Sequence, residues 1–139
     1  MRWTKPLIAA VVSLGLTVTG VAMAETIHFT VKGKTYPVEM ADTPDAASFI
    51  RRLPITLTFE NFGSKERIAY PKPAIDVRNV SQPFEISAGS MTIYRPWGNI
   101  AIFLTSIDWD KDLVELGRLT SEGLEAIRTS GCNPVTFIK

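Results

Sequence analysis

Residues 91–103 read MTIYRPWGNIAIF and contain two apolar segments on either side of a turn. Residues 91–94 predict a strand, and residues 95–99 combine proline, glycine and asparagine, which favour a tight turn for backbone reasons. Residues 100–104 are apolar at every position, which is typical of a central strand that is covered on both faces. The stretch therefore predicts a strand, a turn and a strand in the middle of a sheet.

Short strands separated by turns run through the rest of the chain. Apolar and polar side chains alternate over residues 26–31, which is typical of a half-buried strand. Similar patterns predict further strands over residues 35–40, 55–59, 66–70, 84–86, 113–119 and 135–138. About seven or eight short strands at regular spacing indicate a mainly β domain, either a closed barrel or a sandwich.

Two short helices interrupt these strands. Asp42-Thr43-Pro44 supplies a capping side chain followed by a proline in the first turn, and Pro54 ends the helix that begins there. Thr120 or Ser121 caps a second helix, which is predicted to run to Arg128.

Residues 1–24 have the three parts of a secretory signal peptide. Arg2 and Lys5 supply positive charge, an apolar run follows over residues 7–21, and Ala22-Met23-Ala24 has the small residues of a cleavage site. The run is shorter than the about 20 residues that span a bilayer, which argues against a retained anchor. We therefore expect cleavage after Ala24, one domain over residues 25–139, no membrane attachment after cleavage, and a periplasmic or secreted location.

Charge and cysteine content exclude several classes of protein. Loss of Arg2 and Lys5 lowers the 15 basic residues to 13 against 14 acidic ones, so the mature net charge is −1. A near-neutral domain lacks the basic surface that binds nucleic acid, and no nucleic-acid partner is expected. The only cysteine, Cys132, cannot form an internal disulfide, so the fold must be stabilised by packing.

Residues for nucleophilic or metal chemistry are scarce. His28 is the only histidine, and strand alternation places it on the more polar face with no nucleophile nearby in sequence. Carboxylates alternate over residues 108–112 as in a calcium loop, but Leu113 and Leu119 stand where the loop needs glycine and glutamate. We therefore expect no catalytic residue, no metal and no cofactor.

Tyr94, Trp97 and Asn99, together with Tyr70, are the candidate ligand-binding residues. The turn needs proline, glycine and asparagine, but it does not need the two aromatic residues beside them. Tyrosine and tryptophan combine an apolar face with a polar group, which is the composition of a binding rim. The alternative is that Trp97 closes the open end of the barrel. Trp109, in a polar loop, is expected to fold back onto the core.

Several stretches together resemble the small bacterial cyclophilin-like proteins. The most specific are the Pro-Trp-Gly-Asn turn at residues 96–99 and the Leu-Gly strand at residues 113–119. The others cover residues 43–59, 65–71, 88–94 and 100–103. The resemblance implies that residues 25–139 form a closed cyclophilin-like β-barrel of about eight strands with two short helices. Ser90 departs from the family, which usually has aspartate at this position.

The resemblance does not imply prolyl isomerase activity, because the catalytic set of true cyclophilins is largely missing. Our first hypothesis is a non-catalytic module that binds a small ligand or an extended peptide. The alternative is a peptidyl-prolyl isomerase with a divergent site, in which Arg67 or Arg78 polarises the proline amide. A third hypothesis is a domain that serves only as a structural partner. The sequence makes no prediction of oligomeric state.

Overall fold

The structure of the protein is a computed structural model that describes residues 25–77 and 82–139. The described residues form nine strands and two helices: β1 (Thr26–Val31), β2 (Lys34–Met40), α1 (Pro44–Ile50), β3 (Ile55–Thr58), β4 (Glu60–Phe62), β5 (Glu66–Ala69), β6 (Ser90–Tyr94), β7 (Asn99–Phe103), β8 (Leu113–Leu119), α2 (Ser121–Arg128) and β9 (Pro134–Ile138). The predicted signal peptide, residues 1–24, lies outside the described residues, as does Arg78.

All nine strands belong to one antiparallel sheet in the order β3-β9-β1-β2-β8-β6-β7-β5-β4. The two edge strands, β3 and β4, are consecutive in sequence and only Phe59 separates them, so the chain itself brings the edges of the sheet together. The result is a nearly closed barrel. The predicted mainly β barrel with two short helices is confirmed, with nine strands where about eight were expected.

Local differences from the predicted elements have backbone explanations. Residues 60–62, which the sequence did not predict as a strand, pair with β5, and a turn at residues 63–65 joins the two strands. Residues 84–86 form only one isolated bridge, between Ile86 and Ile107, because a single backbone hydrogen bond joins them. Helix α1 ends at Ile50, three residues before Leu53. Proline at position 54 disfavours helical backbone at Leu53, so the helix does not continue to the proline.

Both helices begin at threonine caps. The Oγ1 atom of Thr43 accepts a hydrogen bond from the amide of Ala46 at 3.1 Å, and Thr120 does the same for Gly123 at 3.0 Å. These bonds satisfy amide groups that a helix start otherwise leaves without a partner. The caps therefore fix where each helix joins the barrel.

Strand β7 is covered on both faces, as its apolar sequence predicts. Ile100 and Ile102 belong to the main core, which also contains the rings of Phe29, Phe49, Phe59 and Phe137. Ala101 and Phe103 point the other way and belong to a second cluster with Ile68, Ile86 and Leu113. The main core fills the barrel, and the second cluster lies on the outer face of strands β5, β7, β6 and β8.

Gly117 allows strands β2 and β8 to approach each other closely. A Cβ atom at this position would lie 2.5 Å from the backbone oxygen of Glu39 and 3.1 Å from the Cα atom of Met40. Because β2 approaches β8 so closely here, only glycine fits without a shift of the backbone. The pairing that connects the two halves of the barrel depends on this contact.

Candidate ligand-binding site

The outer face of the sheet carries side chains from four neighbouring strands. Tyr94 of β6 lies opposite Asn99 of β7 in one direction and opposite Leu113 of β8 in the other. Glu66 of β5 lies opposite Phe103 of β7. Residues that face each other across antiparallel strands point to the same side of the sheet, so all five side chains share the outer face.

Three aromatic rings from two separate turns form a corner at one end of this face. The indole ring of Trp97 meets the rings of Tyr94 and Phe62 nearly at right angles, with centroid distances of 5.5 Å and 5.7 Å. Trp97 is 53 % exposed and Phe62 is 46 % exposed, although each is a large apolar side chain. We call Phe62, Tyr94 and Trp97 the aromatic corner. The aromatic corner is therefore an exposed apolar patch on the outer face of the sheet.

A pocket of about 280 Å³ opens beside the aromatic corner. Its walls combine aromatic and aliphatic side chains with three carboxylates, those of Glu66, Asp108 and Asp110. The remaining lining residues are Phe62, Ile68, Tyr94, Trp97, Asn99, Phe103, Ile107 and Leu113. The volume is at the lower end of the range for small-molecule sites, so the pocket suits one small ligand or one side chain.

Asn99 carries a polar atom for which the fold supplies no partner. The residue is 2 % exposed, and its Nδ2 atom donates to the backbone oxygen of Ile100 at 3.2 Å. Its Oδ1 atom is buried and accepts no hydrogen bond. A buried polar group without a partner costs stability, about 1–3 kcal/mol in general. Asn99 also lines the pocket, so the unpartnered acceptor belongs to a residue of the pocket wall.

Burial also perturbs Glu66. The side chain is half-buried in the pocket wall, and desolvation raises the pKa of its carboxyl group above the ordinary 4.5. The charged form is therefore less favourable in the folded protein than in the unfolded chain. Perturbed carboxyl groups of this kind are concentrated at functional sites.

Glu66→Gln is expected to stabilise the folded protein at neutral pH. Since the folded pKa is raised, the contribution of Glu66 to stability is full below about 4.5 and is lost as the pH rises through the folded value. The neutral amide avoids that loss. Urea unfolding of both proteins at pH 4 and pH 7 measures the effect, which should be larger at pH 7. A difference that is the same at both pH values would contradict this account of Glu66.

The structure brings together three of the four predicted binding residues. Tyr94, Trp97 and Asn99 all line the pocket. Tyr70 is 41 % exposed but does not line it, because the chain leaves the sheet after Ala69. The sequence did not identify the other polar and aromatic lining residues, which are Phe62, Glu66, Asp108 and Asp110. The only sequence signal for Phe62 was a phenylalanine beside a turn.

The two tryptophans of the described chain have different roles. Trp97 lies in the pocket wall and is 53 % exposed, and it does not belong to the main core that fills the barrel. Its exposure follows from the turn, which projects it away from the filled interior. Trp109 packs against the second cluster beneath the 105–112 loop, which confirms that it folds back onto the core.

Arg67, one of two arginines considered for an isomerase, points away from the pocket. It lies opposite Ile102, whose side chain belongs to the main core, and it is 3 % exposed. Its guanidinium donates to the backbone oxygens of Ile127 and Gly131 at 3.1 Å and 2.7 Å. Further donors reach the side chains of Asn61 and Ser130. Arg67 therefore joins β5 to the end of α2 and does not reach the pocket.

Ser90 is the hydrogen-bond acceptor that joins β6 to Arg118 of β8. Its Oγ atom accepts from the guanidinium of Arg118 and from the amide of Ser87, both at 3.0 Å. Arg118 also donates to the hydroxyl of Ser87. The serine pair thus orients Arg118 without a carboxylate and connects β6 to β8.

Other groups with chemical potential lie apart from the pocket. His28 is half-buried in β1, and Cys132 is exposed near the C-terminus. Across residues 25–77 and 82–139, no three histidine, cysteine, aspartate or glutamate side chains converge to hold a metal ion. Within the same ranges, neither helix has the length and apolar character that a membrane span requires.

Comparisons with known proteins agree with this architecture. One solved structure, the solution structure of the hypothetical protein AF2241 from Archaeoglobus fulgidus, matches with a TM-score of 0.64 and 15 % sequence identity. The match covers 86 % of this chain and 98 % of that one, and at this identity it shows a shared fold. No curated protein matches. The family model described as the cyclophilin-like family matches residues 29–137, and the chain therefore belongs to the cyclophilin-like family.

Proposed function

We propose that this domain is a non-catalytic binding module that holds a small ligand, or one side chain of an extended peptide, in the pocket beside the aromatic corner. The observation that carries the proposal is the buried Oδ1 atom of Asn99, which has no partner in the fold. The pocket adds exposed aromatic surface around that atom. Together they provide the apolar enclosure and the placed polar group of a ligand site.

The side chains in the pocket favour binding over catalysis. Glu66 is the lining carboxyl group with a perturbed pKa, and no lysine, cysteine, serine or histidine accompanies it among the described lining residues. Nucleophilic catalysis by serine or cysteine requires that residue within hydrogen-bond distance of a base. Arg67, which an isomerase mechanism requires near the substrate, lies on the other face of β5.

Trp97→Ala is expected to abolish ligand-dependent quenching of the tryptophan fluorescence. The indole forms an exposed wall of the pocket, so an occupant changes its surroundings directly. The measurement is a screen of a small-molecule and peptide library against the full-length protein, followed by titration of the compounds that quench. Tyr70→Ala is the matched control, because Tyr70 is an exposed aromatic residue outside the pocket. Quenching that survives in Trp97→Ala but not in Tyr70→Ala would place the site elsewhere.

A protease-coupled assay on an X-Pro peptide distinguishes the module from an isomerase. Since Arg67 is committed to four hydrogen bonds on the far side of β5, we expect the rate of cis–trans conversion to equal the uncatalysed rate. A rate increase that is lost in the double variant of Glu66 and Asn99 would instead show catalysis in the pocket.

The proposal includes export, on the basis of the signal-like residues 1–24. Fractionation of the producing cells should recover the protein outside the cytoplasm. Its first residue should be Glu25 by N-terminal sequencing. Recovery of a chain that begins at Met1 in the cytoplasm would overturn this part.

A further inference from the structure

We infer that the pocket selects a small organic cation, namely an ammonium group carried on a compact apolar body. The inference rests on the proposed function, because it specifies the ligand class of the same pocket. Three independent properties of the pocket lead to it: the charge of its lining, the exposed aromatic faces, and the hydrogen-bonding character of its buried polar atom.

The charge of the lining is negative. Glu66, Asp108 and Asp110 contribute carboxylates, and the described lining residues include no lysine, arginine or histidine. The nearby ammonium group of Lys111 lies 3.4 Å from Asp112, and its side chain is 80 % exposed to solvent. A pocket with carboxylates and no cation of its own attracts a positive ligand and repels an anion.

The aromatic corner provides surface that a cation prefers. Trp97 is half exposed, and Tyr94 and Phe62 meet it at nearly right angles, so rings border the pocket on more than one side. The faces of aromatic rings carry negative charge density and attract ammonium groups, and tryptophan does so most strongly. The apolar part of the ligand would pack on the aliphatic floor, which Ile68 and Ile107 help to form.

The buried polar atom accepts hydrogen bonds and does not donate them. Because the Nδ2 atom of Asn99 donates to Ile100, the atom left without a partner is the carbonyl oxygen Oδ1. A carbonyl oxygen requires a donor, and carboxylates also accept hydrogen bonds; of the three in the lining, Asp110 already accepts one from the amide of Asp112 at 2.8 Å. A primary ammonium group offers three donors and no acceptor. A bare metal ion is a poorer match, since the described carboxylates do not converge as a ligand set.

Pairs of ligands with the same shape and different charge provide the test. Choline and its neutral isostere 3,3-dimethylbutan-1-ol, and n-butylammonium and butan-1-ol, are titrated against the full-length protein by Trp97 fluorescence. We expect each cation to bind at least about tenfold more tightly than its neutral partner. A lysine-containing peptide and its norleucine analogue are a further arm, and tighter binding of the lysine peptide would support the inference and identify a peptide as the source of the ammonium group.

Two variants test the residues that carry the inference. Asn99→Leu removes the acceptor and keeps a similar volume, and it should weaken n-butylammonium binding without loss of folding stability. Asp108→Asn alters an exposed carboxylate, and it should weaken binding of both cations about threefold while the neutral alcohols are unaffected. Asp42→Asn, an exposed aspartate outside the pocket, is the matched control and should change nothing.

Different results would contradict the charge selection and the binding module. Neutral alcohols that bind at Trp97 as tightly as the cations would overturn the inference of charge selection and leave the binding module intact. A chain that binds none of these compounds, and no compound of the broader library, would overturn the binding module as well.

Discussion

Arg67→Ala is expected to lower the free energy of unfolding by about 2–4 kcal/mol, because a hydrogen bond to a charged donor contributes about 1.5–3 kcal/mol and the cost of burying the charge offsets part of the total. The guanidinium is buried and donates four hydrogen bonds, to Asn61, Ile127, Ser130 and Gly131. Alanine removes one donor from each of these acceptors, of which Ile127 and Ser130 belong to fully buried residues. The Ile127 oxygen keeps the amide and the hydroxyl of Ser130 as donors, at 3.2 Å and 2.9 Å, so the loss falls on the other three acceptors.

Urea unfolding followed by circular dichroism measures this loss. Arg128→Ala is the matched control, because Arg128 is exposed and its side chain pairs with Glu125 on the surface of the same helix. A surface ion pair of this kind contributes at most about 1 kcal/mol. If the two variants lost equal stability, Arg67 would not have the structural role described, and a functional role for it would need to be considered again.

Phe137→Ala is expected to lower the free energy of unfolding by about 3–5 kcal/mol. The ring is fully buried at the centre of the barrel, where it contacts Phe29 and Phe49 at centroid distances of 5.5 Å and Phe59 at 6.4 Å. These residues come from β1, α1 and the junction of the two edge strands. Removal of the ring leaves a cavity that separate elements cannot all move to fill. Thermal or urea unfolding measures the loss.

Phe62→Ala is the matched comparison for Phe137→Ala. It should weaken ligand binding and leave the stability of the fold nearly unchanged. Phe62 is 46 % exposed and its ring meets that of Trp97 nearly at a right angle, so its loss should change stability by less than about 1 kcal/mol. Its loss should nevertheless weaken the binding of any ligand that quenches Trp97. A large stability loss in Phe62→Ala would mean that the aromatic corner supports the fold and is not kept for binding.

The alternation of apolar residues made most of the barrel predictable. The apolar run at residues 100–104 correctly predicted a strand covered on both faces, because no exposed face interrupts it. Strand β4 was not predicted, since all three of its residues are exposed and it has no apolar alternation. Its existence depends on pairing with β5, which sequence alone does not reveal.

Pocket residues that lie close together in the sequence could be predicted, and those that lie far apart could not. Tyr94, Trp97 and Asn99 lie within one turn, so composition was sufficient to identify them together. Phe62 and Glu66 belong to a different hairpin and reach the pocket only through the register of β5 against β7. That register is a tertiary property, and no local pattern of residues encodes it.

Arg67 shows the same limit for a single side chain. Its sequence neighbours Glu66 and Ile68 face the outer side of the sheet, so Arg67 must face the interior. Arginine is seldom fully buried, and the sequence therefore favoured an accessible, functional side chain. The hydrogen-bonding groups at the end of α2, far away in the chain, are what make the interior position possible.

The most direct test of the binding site is an NMR titration of the ¹⁵N-labelled full-length protein with n-butylammonium. We expect the largest changes in chemical shift at the Trp97 indole N–H, the Asn99 side-chain amide and the backbone amides of Glu66 and Asp108. Changes concentrated at the arginine-containing pocket between α1 and residues 74–76 would contradict this location of the binding site. So would changes concentrated around the side chain of Arg67, which contacts the end of α2.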